Sequence, residues 1–283
     1  MGCWGSLVQI QSPRYLFIKV NRLLEIKDIF VNYGKEEILK GISLNIQKDE
    51  KVILLGPNGS GKTTLVKTIL GLLKIKNGSI KIFGKEIENI RGETRLATNY
   101  PPVYSLFSIN LRDLFDLYIH LKAGDLEYAK TLLENLGLKN VWKKKLHQLS
   151  AGQQILVCNI LAIASNPELL ILDEPFENVD PARREKILNL ILNYKGTVLL
   201  ITHQLSVLGY FPNYSLYFIF EGKLYGPLQP LEKILETYIH LKDLENPLLV
   251  IEVGGKKIYL SDKLGDYKLK DFIDITRIYE ILI

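Results

Sequence analysis

The sequence predicts an α/β fold with a mostly parallel core sheet, an N-terminal antiparallel β-subdomain, an inserted helical subdomain and a small C-terminal appendage. First, short apolar runs such as KVILL (Lys51–Leu55) and TVLLIT (Thr197–Thr202) alternate with helix-length segments, as strands covered on both faces do. Second, LEIKDIFV (residues 24–31) and ILKGISLNI (residues 38–46) each alternate, with Gly34 in the bend between them, which describes an antiparallel pair. Third, from Leu111 to Gly137 the apolar period lengthens to that of helices.

The elements follow in order. KVILL ends at a glycine-rich loop, and a helix is expected from Thr63 to about Leu72, stopped by a turn at Asn77 and Gly78. SIKIF (residues 79–83) is strand-like. LRDLFDLYIHL has one apolar face, and Asp125 is a suitable N-cap for LEYAKTLLENL, which Gly137 ends. A helix is expected over residues 153–165 and a buried strand at LLIL (residues 169–172). Asp180 caps a helix whose first residue is Pro181. VIEVGGKKIYL (residues 250–260) is a hairpin turning at Gly254 and Gly255. These signals divide the chain into a loose extension (residues 1–22), a main domain (23–228) with the helical insertion at about 103–150, and a small module of unassigned role (229–283).

Hydrophobic residues at 47% and charged residues at 24% suit a globular protein with a full core. No run approaches the roughly 18 to 20 apolar residues of a spanning helix, so any service to a membrane is from its surface. A net charge of +5 suits an anionic ligand or a negative membrane face, and is too small and dispersed to argue for nucleic acid. Two cysteines, Cys3 and Cys158, permit no disulfide framework and fit a reducing cytoplasm. MGCWGS matches a myristoylation pattern through Gly2, Cys3 and Ser6, but so short a pattern arises by chance, and residues 1–22 read better as a loose extension or a product of the assumed start site.

GPNGSGKTT (residues 56–64) carries the first chemistry. It fits G-x-x-x-x-G-K-[ST] through Gly56, Gly61, Lys62 and Thr63, with Pro57, Asn58, Gly59, Ser60 and Thr64 completing the cradle. Glycines let successive backbone N–H groups surround phosphate oxygens, and the following helix points its positive end at the same anion. Lys62 adds charge for the β- and γ-phosphates, and the Thr63 hydroxyl is a Mg²⁺ ligand candidate. With a strand before and a helix after, this is the phosphate-binding loop of a P-loop NTPase. LLILDEP (residues 169–175) places Asp173 and Glu174 at the end of a buried strand, where ligands of open parallel sheets lie. Asp173 is a candidate for holding Mg²⁺, directly or through water, and Glu174 for polarising the attacking water.

Between these motifs stands LSAGQ (residues 149–153), which resembles the LSGGQ signature of the ABC (ATP-binding cassette) ATPases. The resemblance spans roughly residues 24–228, with the motifs in the family's order. It implies an ATP-binding and ATP-hydrolysing subunit that works as a head-to-tail dimer, with itself or with a paralogous ABC subunit. Ser150, Gly152 and Gln153 would then touch the γ-phosphate of ATP held by the other copy. By the same resemblance Tyr33 stacks on adenine, Asp180 lies in the loop crossing the dimer interface, and His203 is the γ-phosphate-contacting switch histidine. ATP and Mg²⁺ are the implied cofactors. A separate membrane-spanning transporter subunit, docked on the helical subdomain at the cytoplasmic face of the membrane, is the implied partner. His120, His147 and His240 match no ligand spacing and read as structural; Arg183 and Arg184 read as solvated or ion-paired.

The sequence departs from the family at three places. Where the family has a glutamine between phosphate loop and helical subdomain, NYPPVYSLF (residues 99–107) puts Pro102, which has neither amide nor N–H; Asn99 is the nearest substitute but out of register. Ala151 replaces a signature glycine, which negative φ permits. Leu156 stands where a basic residue is common, a change expected at the subunit interface. Two alternatives to transport remain at this point: a soluble ABC ATPase of ribosome function, DNA repair or cluster assembly, and a nucleotide-responsive module with weak hydrolysis. A single cassette opposes the translation type, and the lack of a long heptad insertion opposes the DNA-repair type.

Overall fold

Residues 22–90 and 92–282 are described by a computed structural model, and the myristoylation pattern at Gly2, Cys3 and Ser6 lies outside them. The alternating N-terminal segments form strands β1 (Arg22–Tyr33) and β2 (Glu36–Gln47), paired antiparallel around Gly34 at φ 60°. β3 (Lys51–Leu55) runs into the phosphate loop and then α1 (Lys62–Ile69). This helix is shorter than the expected 63–72. Gly71, at φ 71°, ends it in a Schellman arrangement: the Gly71 N–H donates to Thr68 O at 3.0 Å and the Leu72 N–H to Lys67 O at 2.8 Å.

The expected turn at Asn77 and Gly78 is instead the start of β4 (Asn77–Ile82). Gly78 faces a bulge of β1 so closely that a Cβ would lie 2.4 Å from the carbonyl oxygens of Lys27 and Asp28. Its glycine therefore serves strand packing, not chain reversal. β5 (Lys85–Glu86) closes an antiparallel sheet of order β2-β1-β4-β5.

β6 (Leu96–Thr98) and the short α2 (Pro101–Ser105) lead to the helical segment: α3 (Leu111–Leu121), α4 (Leu126–Asn135) and α5 (Ala151–Ala164). Asp125 caps α4 as expected, accepting from the Tyr128 N–H at 2.9 Å, and Gly137 follows it at φ 71°. Then come β7 (Leu169–Asp173), α6 (Pro181–Leu192), β8 (Thr197–Thr202), β9 (Ser215–Phe220) and β10 (Lys223–Leu228). The core sheet has order β10-β9-β3-β8-β7-β6, parallel throughout except for β10.

Strand alternation divides the interior. Ile53, Leu55, Leu170, Leu172, Val198 and Leu200 face the cluster containing α5, while Val52, Leu54, Leu169, Ile171, Leu199 and Ile201 face α1 and the antiparallel sheet. Each strand is thus buried on both sides, which explains the unbroken apolar runs in the sequence.

Beyond β10, α7 (Leu231–Leu235) precedes β11 (Tyr238–His240), β12 (Leu249–Val253), β13 (Lys256–Ser261) and β14 (Tyr267–Lys268), a sheet of order β12-β13-β11-β14; α8 (Ile275–Leu282) ends the described chain. The Gly254–Gly255 hairpin is present between β12 and β13. Leu231, Ile239, Ile251, Ile258 and Ile275 belong to the same apolar cluster as α5, so the C-terminal segment is packed onto the core.

Candidate active site

Parallel pairing of β3 with β8 and β9 brings the phosphate loop, the acidic strand end and His203 to one sheet edge. The Gly56 N–H donates to Thr202 O at 3.2 Å. A Cβ at Gly56 would sit 2.4 Å from the Ile219 carbonyl oxygen, a backbone atom of β9, so only glycine fits there. Gly61 has φ 104° and precedes α1, whose first N–H groups receive no side-chain cap. Asn58 and Gly59 form the exposed rim of the loop, while Pro57, Ser60 and Lys62 are buried. Lys62 folds back over the loop, its Nζ donating to Gly56 O at 2.8 Å and Pro57 O at 2.9 Å and lying 3.5 Å from Glu174 Oε1. Thr64 contributes its carbonyl to α1, accepting from the Thr68 hydroxyl at 2.7 Å.

Thr63 Oγ1 donates to Asp173 Oδ2 at 3.0 Å, joining loop and acidic strand end. Burial pushes the Asp173 carboxyl up to about 6, against the lowering hydrogen bond from Thr63; the neighbouring Glu174 raises it further. Among the described residues four buried side-chain polar atoms lack a partner, and two of them, Ser60 Oγ and Asp173 Oδ1, belong to this site. Uncapped helical N–H groups, a buried lysine, a free hydroxyl and a half-satisfied carboxylate fit a nucleotide phosphate with a hard divalent cation.

Glu174 leaves the strand with φ 45°, a left-handed conformation rare for a non-glycine residue. The turn re-aims its carboxylate. Oε2 accepts from Thr202 Oγ1 at 3.0 Å and the His203 N–H at 3.3 Å, and Oε1 lies 2.9 Å from His203 Nδ1. That hydrogen bond to Glu174 raises the His203 pKa above its ordinary value, outweighing burial.

The signature forms the start of α5. Ser150 and Gln153 make a capping box: Ser150 Oγ accepts from the Gln153 N–H at 3.4 Å, and Gln153 Oε1 from the Ser150 N–H at 3.3 Å. A Cβ on Gly152 would lie 2.2 Å from Asn178 O, so glycine lets the loop before Asp180 pass over the signature. Asp180 caps α6, accepting from the Arg183 N–H at 3.1 Å. Tyr33 ends β1 and is 46% exposed, its hydroxyl 3.4 Å from Lys67 Nζ on α1. Thus Lys62, Thr63, Asp173, Glu174 and His203 form one cluster. No hydrogen bond or ion pair among the described residues joins Ser150, Gly152, Gln153 or Asp180 to it.

A family model described as ABC transporter matches residues 39–177. The manganese transport system ATP-binding protein MntB of Bacillus subtilis (strain 168) is 30% identical over 255 residues, covering 85% of this chain and 96% of the relative. The chain belongs to the ABC transporter family. Its activity is that of the family's ATP-binding subunits, ATP hydrolysis. A crystal structure assigned as a cobalt transport ATP-binding protein superposes with a TM-score of 0.83 at 38% identity, over 91% of this chain and 99% of that one. The dimeric post-hydrolysis state of the ATP-binding cassette MJ0796, bound to ADP and Pi, gives 0.59 at 26% identity over 71% and 96%.

The departures of this ABC subunit from its family resolve individually. Asn99 directly follows β6. It is fully buried, accepting from the Asp173 N–H at 2.7 Å and donating to Asn159 Oδ1 at 2.8 Å and Asp173 O at 3.1 Å. Asn159 in turn donates to Pro175 O at 2.8 Å. This strut fixes the backbone on both sides of Glu174, and Asn159 was missed by motif reasoning; its one signal is an amide inside the apolar run VCNILAIA of α5. Asn159→Ala should cost about 1–3 kcal/mol of stability by leaving Asn99 unpaired, as measured by urea unfolding, and should lower turnover more than ATP binding. Pro102 sits exposed in the first turn of α2, while Tyr100, two residues earlier, turns its ring toward Lys67 with 5.9 Å between ammonium and ring centre. Leu156 is 1% exposed in the core, which overturns the expectation that it alters an interface. Ala151 keeps negative φ at the first position of α5. Arg183 pairs with Asp180 at 3.3 Å, and Arg184 donates to Ser206 Oγ at 3.2 Å. His120 and His240 hold backbone carbonyls, at 2.6 and 3.1 Å.

Proposed function

We propose that this subunit binds MgATP at residues 56–64 with adenine against Tyr33, and hydrolyses it only when a second cassette closes head to tail. Ser150 and Gly152 of one copy then complete the site of the other. The observation carrying this is the cluster itself. Glu174 is held on one oxygen by Thr202 and on the other by His203 and Lys62, a geometry that aims a carboxylate at the phosphate end of the loop. Thr63 and Asp173 are the residues that would hold Mg²⁺, their free valences being the Thr63 hydroxyl oxygen and the unpartnered Asp173 Oδ1. A bound Mg²⁺ supplies neutralisation of charge on the transferring phosphoryl group. Lys62 exchanges its loop carbonyls for phosphate oxygens. Glu174 orients and polarises the attacking water, and His203 reports the γ-phosphate to the loop that follows it. Hydrolysis cuts the γ-phosphoryl group from ADP, its release as inorganic phosphate removes the charge that held the two signatures, and the dimer reopens.

Transport is preferred over the soluble roles because the relatives are transport-system subunits; the dimer is preferred because a related cassette is dimeric with ADP and Pi. No helix among the described residues is long and apolar enough to cross a membrane. Movement of a substrate therefore requires a separate membrane-spanning partner, contacted by the helical segment at about residues 103–150 from the cytoplasmic face. The cassette proper is residues 23–228, with 229–283 as a docked module. Purification of the tagged chain from native membranes tests this: a polytopic membrane protein should accompany it and raise its ATPase rate. A chain recovered with ribosomes or DNA, and none with such a protein, would overturn the transport role.

A further inference from the structure

The C-terminal segment reaches the catalytic cluster through one loop. Gln204 and Asp274 form an antiparallel bridge; the Ile275 N–H donates to His203 O at 3.0 Å, and the Ser206 N–H to Ile273 O at 3.2 Å. The backbone from His203 to Ser206 is thereby tied to the residues that open α8. Ile275 and Ile278 are buried against the same core, which anchors the tie.

Asp274 is placed by this contact. Its Oδ1 accepts from the Thr276 N–H at 2.7 Å, which fixes the carboxylate at the helix start. Its Oδ2 lies 3.6 Å from His203 Nε2, a contact longer than a hydrogen bond that becomes an ion pair when the imidazole is protonated. The other ring nitrogen, Nδ1, faces Glu174 Oε1 at 2.9 Å, beside Lys62. His203 thus stands between a carboxylate of the catalytic cluster and a carboxylate of the C-terminal segment. The charged groups acting on it are Glu174, Asp274 and Lys62, the first two favouring the imidazolium and the lysine opposing it. Nδ1 is within hydrogen-bond reach of Glu174, while Nε2 has the longer electrostatic contact with Asp274. Nδ1 thus faces Glu174, beside Lys62 of the loop, while Asp274 stands behind Nε2, the arrangement by which a rear carboxylate orients a working histidine.

We propose that Asp274 is a positioning residue for His203, and that through it the C-terminal segment sets the rate of ATP hydrolysis. This rests on the role of His203 at the γ-phosphate proposed above. Asp274→Asn keeps a helix-capping side chain but removes the charge, so it separates positioning from folding. Steady-state phosphate release should show kcat reduced about tenfold with KM for ATP changed by less than about twofold, the signature of an interaction used after binding. Asp274→Glu should recover most of the lost kcat. His203→Ala, measured alongside, should be nearly inactive. An Asp274→Asn protein with wild-type kcat, beside an inactive His203→Ala, would overturn the positioning role alone. Equal damage in Asp274→Asn and Asp274→Glu, with KM rising and melting temperature falling, would also overturn it by marking a structural contact. Full turnover by His203→Ala would remove the reading on which the proposal stands.

Discussion

Glu174→Gln should lower steady-state ATP turnover by about a thousandfold, the loss of a positioned general base, while ATP binding persists. The amide oxygen can still accept from Thr202 and the His203 N–H, so the loop geometry survives. The amide nitrogen would replace the oxygen that faces His203 Nδ1 and Lys62 Nζ, and it offers neither acceptor nor charge. Lys62 then loses a competing partner at 3.5 Å and is released toward phosphate oxygens, which favours nucleotide affinity. With binding intact and hydrolysis blocked, the closed dimer should accumulate. Light scattering in MgATP should show a mass doubling for Glu174→Gln and a monomer for wild type after turnover. A Glu174→Gln variant that hydrolyses ATP at the wild-type rate would remove Glu174 as the base.

The parts of this site that lie within one stretch of chain are readable in the sequence, because a local backbone shape demands particular residues. Gly56, Gly61, Lys62 and Thr63 are spaced by the loop they build, and Ser150 with Gln153 by the capping box they form. The alternation of apolar runs and helices was enough for the parallel sheet and the antiparallel pair of β1 and β2. What could not be read, including the tertiary reason for glycines that the motifs already named, depends on chain segments far apart in sequence. Gly56 is required by a carbonyl of β9, Gly78 by a bulge in β1, and Gly152 by the loop at Asn178. The Asn99–Asn159 strut joins β6 to α5, and neither residue belongs to a motif. Leu156 looked like an interface position because its motif neighbours are; its place on the helix turns it into the core instead. Asp274 is invisible for the same reason, as only the docking of α8 brings it beside His203.

Asp173→Asn should abolish metal-dependent hydrolysis and at the same time relieve a pH-dependent strain in the nucleotide-free protein. Burial raises the Asp173 carboxyl from 3.8 to about 6 in the folded chain. Between these values the folded state holds a proton that the unfolded state has released. Stability therefore falls as pH rises through that window, and the cost, roughly 3 kcal/mol, is complete above pH 6 and absent below about pH 4. An asparagine carries no such charge. It can still accept from Thr63 Oγ1, although its amide N–H groups inherit the unpartnered position of Oδ1. The quantity to measure is the stability difference between Asp173→Asn and wild type by chemical unfolding without nucleotide, at pH 4 and at pH 7.5. It should move in favour of the variant by about 1–3 kcal/mol over that range, and a difference independent of pH would show that Asp173 is not held out of water as its geometry indicates. Turnover with MgATP should fall by at least about a hundredfold, since the amide cannot supply the anionic oxygen that a hard cation requires. A group that destabilises the empty protein and is indispensable once phosphate and cation arrive is the expected mark of a site shaped for its ligand, and the two measurements together separate that from a carboxylate buried for packing alone.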